Sequence, residues 1–438
     1  MASKDEGVPV PSGRLSRLSR IGGLGAGIAG SVISHGARQM ARGEKPDLEK
    51  LLLTPSNVKR VTDELSRLRG AAMKVGQLLS MDGGEFIAPE FAEILAKLRS
   101  SAYSMPPAQL QRVLNANWGR KWLQQFKSFD VRPIASASIG QVHRAVRRDG
   151  REVAIKVQYP GVRDSINSDV DNVASLVRLT QLLPEGVDIS PLLNEAKRQL
   201  NEEADYLLEA EKIRRFAKLL RSSDEFALPD VHDDITTETV LAMSYMKGRP
   251  IDTLADASLD QRNRGADALM RLVMLELFDF KFMQSDPNFA NYLVEDNTDK
   301  IILLDFGAAR DVPDKLSDGY RNVLSKALRG DWPGVRQSLV DMGLSHADAD
   351  PKHAALFEEM IKLAIEPMRA DAPYDFANSD LAMRMRDAGL TLRQSGFTHI
   401  PPPVTIFLHR KIGGTYLLAT KLRAKVDVAA IVKPHLDI

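Results

Sequence analysis

Three short stretches carry the residue types that phosphoryl chemistry needs. "VAIK" ends at Lys156 on an alternating strand, "QSDPNFAN" places Asp286 and Asn291 five positions apart, and "LLDFG" sets Asp305 fourteen residues after that asparagine. An ammonium on a strand that follows a hairpin neutralises nucleotide phosphates, and a carboxylate such as Asp286 serves as base or positions a water. Asp305 and the amide oxygen of Asn291 make a hard oxygen set, suited to holding Mg²⁺ against those phosphates. Each match alone would be an ordinary strand end or turn. Their occurrence together, in this order, points to a protein-kinase-like fold that binds ATP and Mg²⁺.

Those side chains need particular elements to hold them. Asp305 must emerge where the backbone turns sharply, and the apolar run "KIILL" before it and Gly307 after Phe306 supply that strand end. Lys156 needs an acid on a helix behind its strand. Residues 190–220 read as one helix opened by Ser190 and Pro191, a capping residue and a first-turn proline. On its wheel Leu193, Ala196, Leu200, Ala204 and Leu207 share the apolar face with Glu203 at the edge, while Glu202, Asp205 and Glu209 lie on the far side. The partner expected for Lys156 is Glu209 or Glu203.

The hairpin "ASASIGQVHRAVRRDGREVAIKV" (135–157) would cover the phosphates, with Asp149-Gly150 as its two-residue turn. It carries Ala135, Ser136, Ala137 and Ser138 where a run of glycines is usual. Alanine costs roughly 1 kcal/mol or more where φ must be positive, and so favours a tighter, less mobile turn. Ser138 and the amides after it are expected to donate hydrogen bonds to phosphate oxygens. Around the hairpin, 126–160 reads as an antiparallel meander, 163–183 as helix, "ETVLAMSYMKG" (238–248) as a strand entering a hinge, and everything from 259 as mostly helix with short strands at "NYLVE" and "KIILLDFG".

The 438 residues suffice for one two-lobed unit or two domains, and 59 basic against 58 acidic side chains leave a net charge of +1. No global field points to a nucleic acid partner. With no cysteine in the chain, disulfides, thiolate metal sites and cysteine nucleophiles are excluded. Residues 21–37, "IGGLGAGIAGSVISHGA", are flanked by Arg20, Arg38 and Arg42. As a helix they would cover about 25 Å against a hydrocarbon core of about 30 Å, so they read either as a membrane-associated segment with small-residue spacing or as a Gly-rich linker. Helical periodicity from 47 to about 120 precedes everything kinase-like, and within it "AAMKVGQLLSM" would by itself be an amphipathic helix with Lys74 exposed. The organisation expected is a flexible basic N-terminus (1–46), a helical extension (47–120), an N-lobe (121–247) and a helical C-lobe (248–438), in an α+β bilobal kinase-like fold.

"KVGQ" (74–77), "ASASIGQVHRA" (135–145), "VAIKVQYPGV" (153–162), "EADYLLEA" (203–210), "FMQSDPNFAN" (282–291), "LLDFGAAR" (303–310) and "FLHRKIGGTYLL" (407–418) together resemble the UbiB/AarF-like (ADCK-type) atypical kinase family, in particular its coenzyme Q-supporting branch. The resemblance implies that Lys74 and Gln77 sit on an added helix over the place of a protein substrate, with Glu203 and Asp205 among its contacts. It implies further that Ser244, Tyr245, Met246 and Lys247 form the adenine hinge, and that Arg410 partners an acid near Lys74. Family members typically read A-A-A-S where this chain has Ser136. The segment after Asp305 enters a helix within about a dozen residues and has no Ala-Pro-Glu signature, so a protein substrate has little platform. The expected activity is an ATP- and Mg²⁺-dependent kinase or ATPase supporting ubiquinone biosynthesis, with membrane lipids or isoprenoid quinone precursors, quinone-biosynthesis proteins and a second copy as partners, at a bacterial or mitochondrial inner membrane, or soluble if 21–37 is a linker. The alternatives are a nucleotide-gated lipid scaffold without turnover and a small-molecule phosphotransferase.

Overall fold

The computed structural model describes residues 104–179, 189–348, 350–397 and 402–437, together with Ser34, Gly70, Ala71, Lys74 and Val75. Gln77 and, apart from Ser34, the Gly-rich stretch 21–37 lie outside the described residues. Among the described residues no helix is long and apolar enough to cross a membrane. The α+β architecture divides into two compact units, one of residues up to Ala210 with Val231–Tyr245, the other of Glu211–Asp230 with everything from Met246.

The first unit is built on an antiparallel sheet of β1 (Phe126–Phe129), β2 (Ala135–Ser136), β3 (Gly140–Arg147), β4 (Glu152–Gln158) and β6 (Val240–Ser244), in the order β1-β3-β4-β6 with β2 against β3. The β3–β4 connection is longer than the two residues expected. Arg147 N bonds Arg151 O at 2.8 Å and Gly150 N bonds Arg147 O at 3.0 Å, with Gly150 at φ 90°, where a side chain would be strained. Along β4, Val153, Ile155 and Val157 are fully buried in a cluster with Leu110 and Leu114 of α1 (Pro107–Trp118), Trp122 and Phe126. Because side chains alternate across a strand, that burial places Ala154 and Lys156 on the opposite face.

Among the described residues of 162–219 there are three helices, α2 (Val162–Leu179), α3 (Ser190–Glu203) and α4 (Tyr206–Leu219). The single helix expected over 190–220 is therefore broken. Ala204, at φ −81° and ψ 1°, ends α3, and a second helix begins two residues later.

In the second unit β5 (Phe226–Ala227), β7 (Arg249–Pro250), β9 (Tyr292–Val294) and β10 (Ile301–Leu303) form a sheet in the order β5-β10-β9-β7, parallel only between β5 and β10. Strand β8 (Phe282–Gln284) pairs with β11 (Ala309–Asp311), and β12 (Tyr374–Asp375) with β13 (Lys425–Val426), four short strands additional to those read from the sequence. Helix α5 (Leu259–Met274), capped by the Ser258 side chain on Gln261 N, runs into a wide π-turn at Leu275–Asp279. After α6 (Asp314–Arg329), α7 (Trp332–Asp341), α8 (Pro351–Ala364) and α9 (Leu381–Gln394), the 19-residue α10 (Pro403–Lys421) and the short α11 (Val428–Val432) complete the unit.

One hydrogen-bonded chain fixes the edge of the first unit. Met105 N donates to Gln141 Oε1 at 2.7 Å, Gln141 Nε2 donates to His143 Nε2 at 2.8 Å, and His143 Nδ1 donates to the Asp130 carbonyl at 2.8 Å. The carbonyl can only accept and the Gln141 amide can only donate, so the fully buried ring is neutral with its proton on Nδ1. Burial lowers the His143 pKa below its ordinary 6.5, against the raising effect of the Asp130 carbonyl. The unfolded chain thus takes up a proton more readily, and acid favours unfolding. The stability of the parent relative to His143→Gln is expected to be flat above about pH 6.5 and to shrink steadily below it, as measured by chemical denaturation across pH. A difference that does not move with pH would show that the ring is not held neutral.

Candidate active site

Lys156 Nζ donates to both carboxylate oxygens of Glu209, at 2.8 and 2.9 Å, and lies 5.2 Å from the centre of the Tyr206 ring. The break between α3 and α4 decides that Glu209, not Glu203, is the partner. On one continuous helix Leu207 would share the apolar face and Glu209 the far side. Restarting at Tyr206 rotates the phase, leaving Leu207 44% exposed and Glu209 1% exposed. Asp205 sets the new start, because its Oδ1 accepts from Leu208 N at 3.1 Å and its carbonyl accepts from Glu209 N at 3.0 Å. Among the described residues its carboxylate also faces Arg163 at 3.8 Å, rather than Lys74.

Glu203 closes α3 and binds two other groups. Its Oε1 pairs with Lys74 Nζ, and its Oε2 accepts from Ser138 Oγ at 2.9 Å. Lys74 is thus buried, not exposed as its amphipathic setting suggests. One helical turn earlier, a Cβ on Gly70 would lie 3.0 Å from Ile139 Cγ2 and 3.2 Å from the Ser138 carbonyl, so only glycine fits against the turn without displacement. The Ser138 hydroxyl, on the turn expected to cover phosphate, donates to Glu203. The Ala-rich turn closes on itself through Ala137 N to Gly140 O at 2.8 Å, with Ala135 and Ser136 exposed in β2. At the other end of the sheet Ser244 pairs with Val153 and Tyr245 N bonds the Glu152 carbonyl at 3.1 Å, while Met246 and Lys247 belong to the second unit.

In that second unit Asp286 and Asn291 are brought together. Asn291 Nδ2 donates to Asp286 Oδ2 at 3.3 Å, and the Asn288 side chain caps the intervening turn on Ala290 N at 3.2 Å. Arg410 faces Asp286 Oδ1 at 3.4 Å, in the "SDPNFAN" segment. The β9–β10 hairpin sets Asn291 beside Asp305, since Leu304 N donates to the Asn291 carbonyl at 3.1 Å and Leu303 pairs with Tyr292. The Asp305 turn is held tightly. Gly307 N donates to Asp305 Oδ1 at 2.9 Å, Lys212 Nζ donates to the Gly307 carbonyl at 2.9 Å, and buried Phe306 packs 5.1 Å from the Phe216 ring. Lys212 escaped sequence reasoning. Its only signal was a position three residues after Glu209.

Two neighbouring oxygen donors, Asp305 carboxylate and Asn291 amide, suit Mg²⁺, which is bound through one or two protein groups plus phosphate oxygens. Among the described residues no three His, Asp or Glu side chains gather into a cage.

Below this segment lies a buried charge pair that sequence reasoning also missed. Lys411 stands 3.3 Å from Glu276, with side chains 2% and 0% exposed. Burial pushes the Glu276 carboxyl up, with Lys411 opposing it. Burial would lower the Lys411 ammonium, but Glu276 and Tyr292 hold it above its ordinary range. A lysine following His409 and Arg410 in the middle of a mostly apolar helix was the available signal.

Residues 97–339 match the family described as "ABC1 atypical kinase-like domain". The chain is 36% identical over 428 residues to the atypical kinase COQ8, mitochondrial, of Saccharomyces cerevisiae, covering 97% of this chain and 85% of that protein. It is 36% identical to COQ8B, mitochondrial, of Rattus norvegicus, covering 95% and 79%. Among solved structures, the complex of Rv3197 with erythromycin from Mycobacterium tuberculosis superposes with a TM-score of 0.59 at 25% identity, over 86% of this chain and 95% of that one.

The capping role of Asp205 yields a measurable expectation. Asp205→Ala should lower the free energy of unfolding by about 1 kcal/mol, while Asp205→Asn, which retains a capping oxygen, should stay near the parent in denaturant titrations. The exposed Arg163 pair contributes little, so equal losses in both variants would assign the effect to charge instead of the cap.

Proposed function

The chain belongs to the ABC1 atypical kinase family, and from that premise we propose that it is an ATP- and Mg²⁺-dependent kinase or ATPase that acts on or with membrane lipids in support of ubiquinone biosynthesis. One observation carries the reading: a buried carboxylate grips the Lys156 ammonium through both oxygens, so a cation is fixed on β4 in a defined direction. A surface lysine would have no need of such a partner. Lys156 orients the α- and β-phosphates, Asp305 and Asn291 hold the metal, and Asp286 takes the proton of the attacking hydroxyl or positions a water. Mg²⁺, when bound, neutralises phosphate charge as the bond to the γ-phosphoryl group breaks.

The acceptor is argued from the chain after Asp305. Residues 309–311 are tied into β11 against β8, and α6 opens at Asp314, so the segment is consumed in secondary structure before it could form a peptide-docking loop. That favours a small or lipid-like acceptor, or water. The relatives' names connect the family to coenzyme Q, and membrane attachment belongs to the same proposal.

A second reading, a nucleotide-gated scaffold without turnover, is favoured by the Ser138–Glu203–Lys74 link, which occupies a hydroxyl that could otherwise serve phosphate. Purified full-length protein with ATP, Mg²⁺ and anionic liposomes is expected to release phosphate, with Asp305→Asn reducing the rate at least about tenfold. Tight nucleotide binding with no release above that variant would favour the scaffold. In cells, Lys156→Met should lower the ubiquinone pool, and an unchanged pool would sink the pathway assignment.

A further inference from the structure

We propose that Glu276 and Lys411 are positioning residues: together they clamp both ends of the segment that carries Asp286 and Asn291. The inference rests on the reading of Asp286 and Asn291 given above. Glu276 Oε1 accepts from the backbone N of Gln284 at 3.2 Å, and Lys411 Nζ donates to the Tyr292 hydroxyl at 3.1 Å. Gln284 is the last residue of β8 and Tyr292 the first of β9, so the two bonds bracket Ser285–Asn291.

The same face of α10 touches the segment between those ends. Arg410 meets Asp286, and a Cβ on Gly414 would lie 2.4 Å from Pro287 Cβ, so the helix backbone is pressed against the residue after Asp286. One helix thereby fixes Asp286, Pro287 and Tyr292, and through Glu276 also Gln284. Glu276 itself stands in the π-turn Leu275–Asp279, where Phe280 N bonds back to the Leu275 carbonyl at 2.8 Å. Such wide turns are rare and concentrate at functional sites.

Stability alone is a poor explanation for the pair. A fully buried ion pair generally stabilises a fold no better than apolar residues of the same volume, because desolvation offsets the attraction. What charge adds here is direction, since Glu276 binds the Gln284 end through its backbone N while Lys411 reaches the Tyr292 hydroxyl at 3.1 Å and the Gln284 side chain at 3.5 Å, tying both ends of a loop between two three-residue strands. Catalysis is sensitive to displacements of this kind, where about 1 Å of misplacement costs on the order of 100-fold in rate.

The test uses the full-length chain and three measurements: thermal unfolding, amide hydrogen exchange and steady-state ATP turnover. Removing one partner strands the other's charge, so the variant is the double Glu276→Leu/Lys411→Met, which should melt close to the parent. Exchange across 285–291 is expected to accelerate about tenfold while the rest of the unit is unchanged, and kcat to fall about 30-fold with KM for ATP within about twofold. Parent-like exchange and kcat in the folded double variant would overturn the proposal. Tyr292→Phe, which removes one hydroxyl and leaves the ion pair, covers the case in which the double variant does not fold. It should raise exchange at the Asn291 end about threefold and lower kcat without changing KM, and no change in either would likewise overturn the clamp. A parent protein without turnover would defeat the phosphoryl-transfer reading, while the exchange data would still decide the clamp.

Discussion

A lysine ammonium removed from water needs a carboxylate within hydrogen-bond reach, and the pairing of Lys156 with Glu209 is the constraint around which the first unit is arranged. The strand alternation that buries Val153, Ile155 and Val157 sends Lys156 to the opposite face. The carboxylate arrives there only because the helix stops at Ala204 and starts again after Asp205. Asp205 is thus less a contact of the site than the residue that determines the site's register.

Glu203 and Glu209 lie six residues apart and serve two different lysines. Glu209 faces the strand lysine, whereas Glu203 binds Lys74 together with the hydroxyl of the Ala-rich turn. A straight helix turns through about 600° in six residues, which leaves the two acids roughly 120° apart; the interruption supplies the remaining freedom. The Ala-rich turn is consequently held through Glu203 by Lys74. Its alanines no longer need to be explained by phosphate geometry alone, because Gly70 and Lys74 hold the same turn from the other side of Glu203.

In the second unit the chemistry hangs on short strands, and short strands are weak supports. Three-residue β8, β9 and β10 cannot by themselves fix Asp286, Asn291 and Asp305. Support comes from side chains outside the motifs: Lys212 on the Gly307 carbonyl, Phe216 against Phe306, Arg410 on Asp286, and the Glu276–Lys411 pair beneath. The motif residues sit on the short strands and turns, and the helices carry the side chains that keep them in place.

The sequence by itself determined the candidate residues and their order, because strand alternation around Lys156, the apolar run before Asp305 and the D-x₄-N spacing are local properties of the chain. It also determined the α+β class and the family, through motifs spread over most of its length. It left the choice between Glu203 and Glu209 open, since a wheel drawn through Ala204 and Asp205 assumes a continuous helix, and a break of two residues is invisible to periodicity. The contacts of Ser138 with Glu203 and of Arg410 with Asp286, and the existence of the Lys212 and Glu276–Lys411 contacts, were decided only by the tertiary structure. These link residues as many as 135 positions apart, as Glu276 and Lys411 are, and no local pattern records which buried polar group will face which.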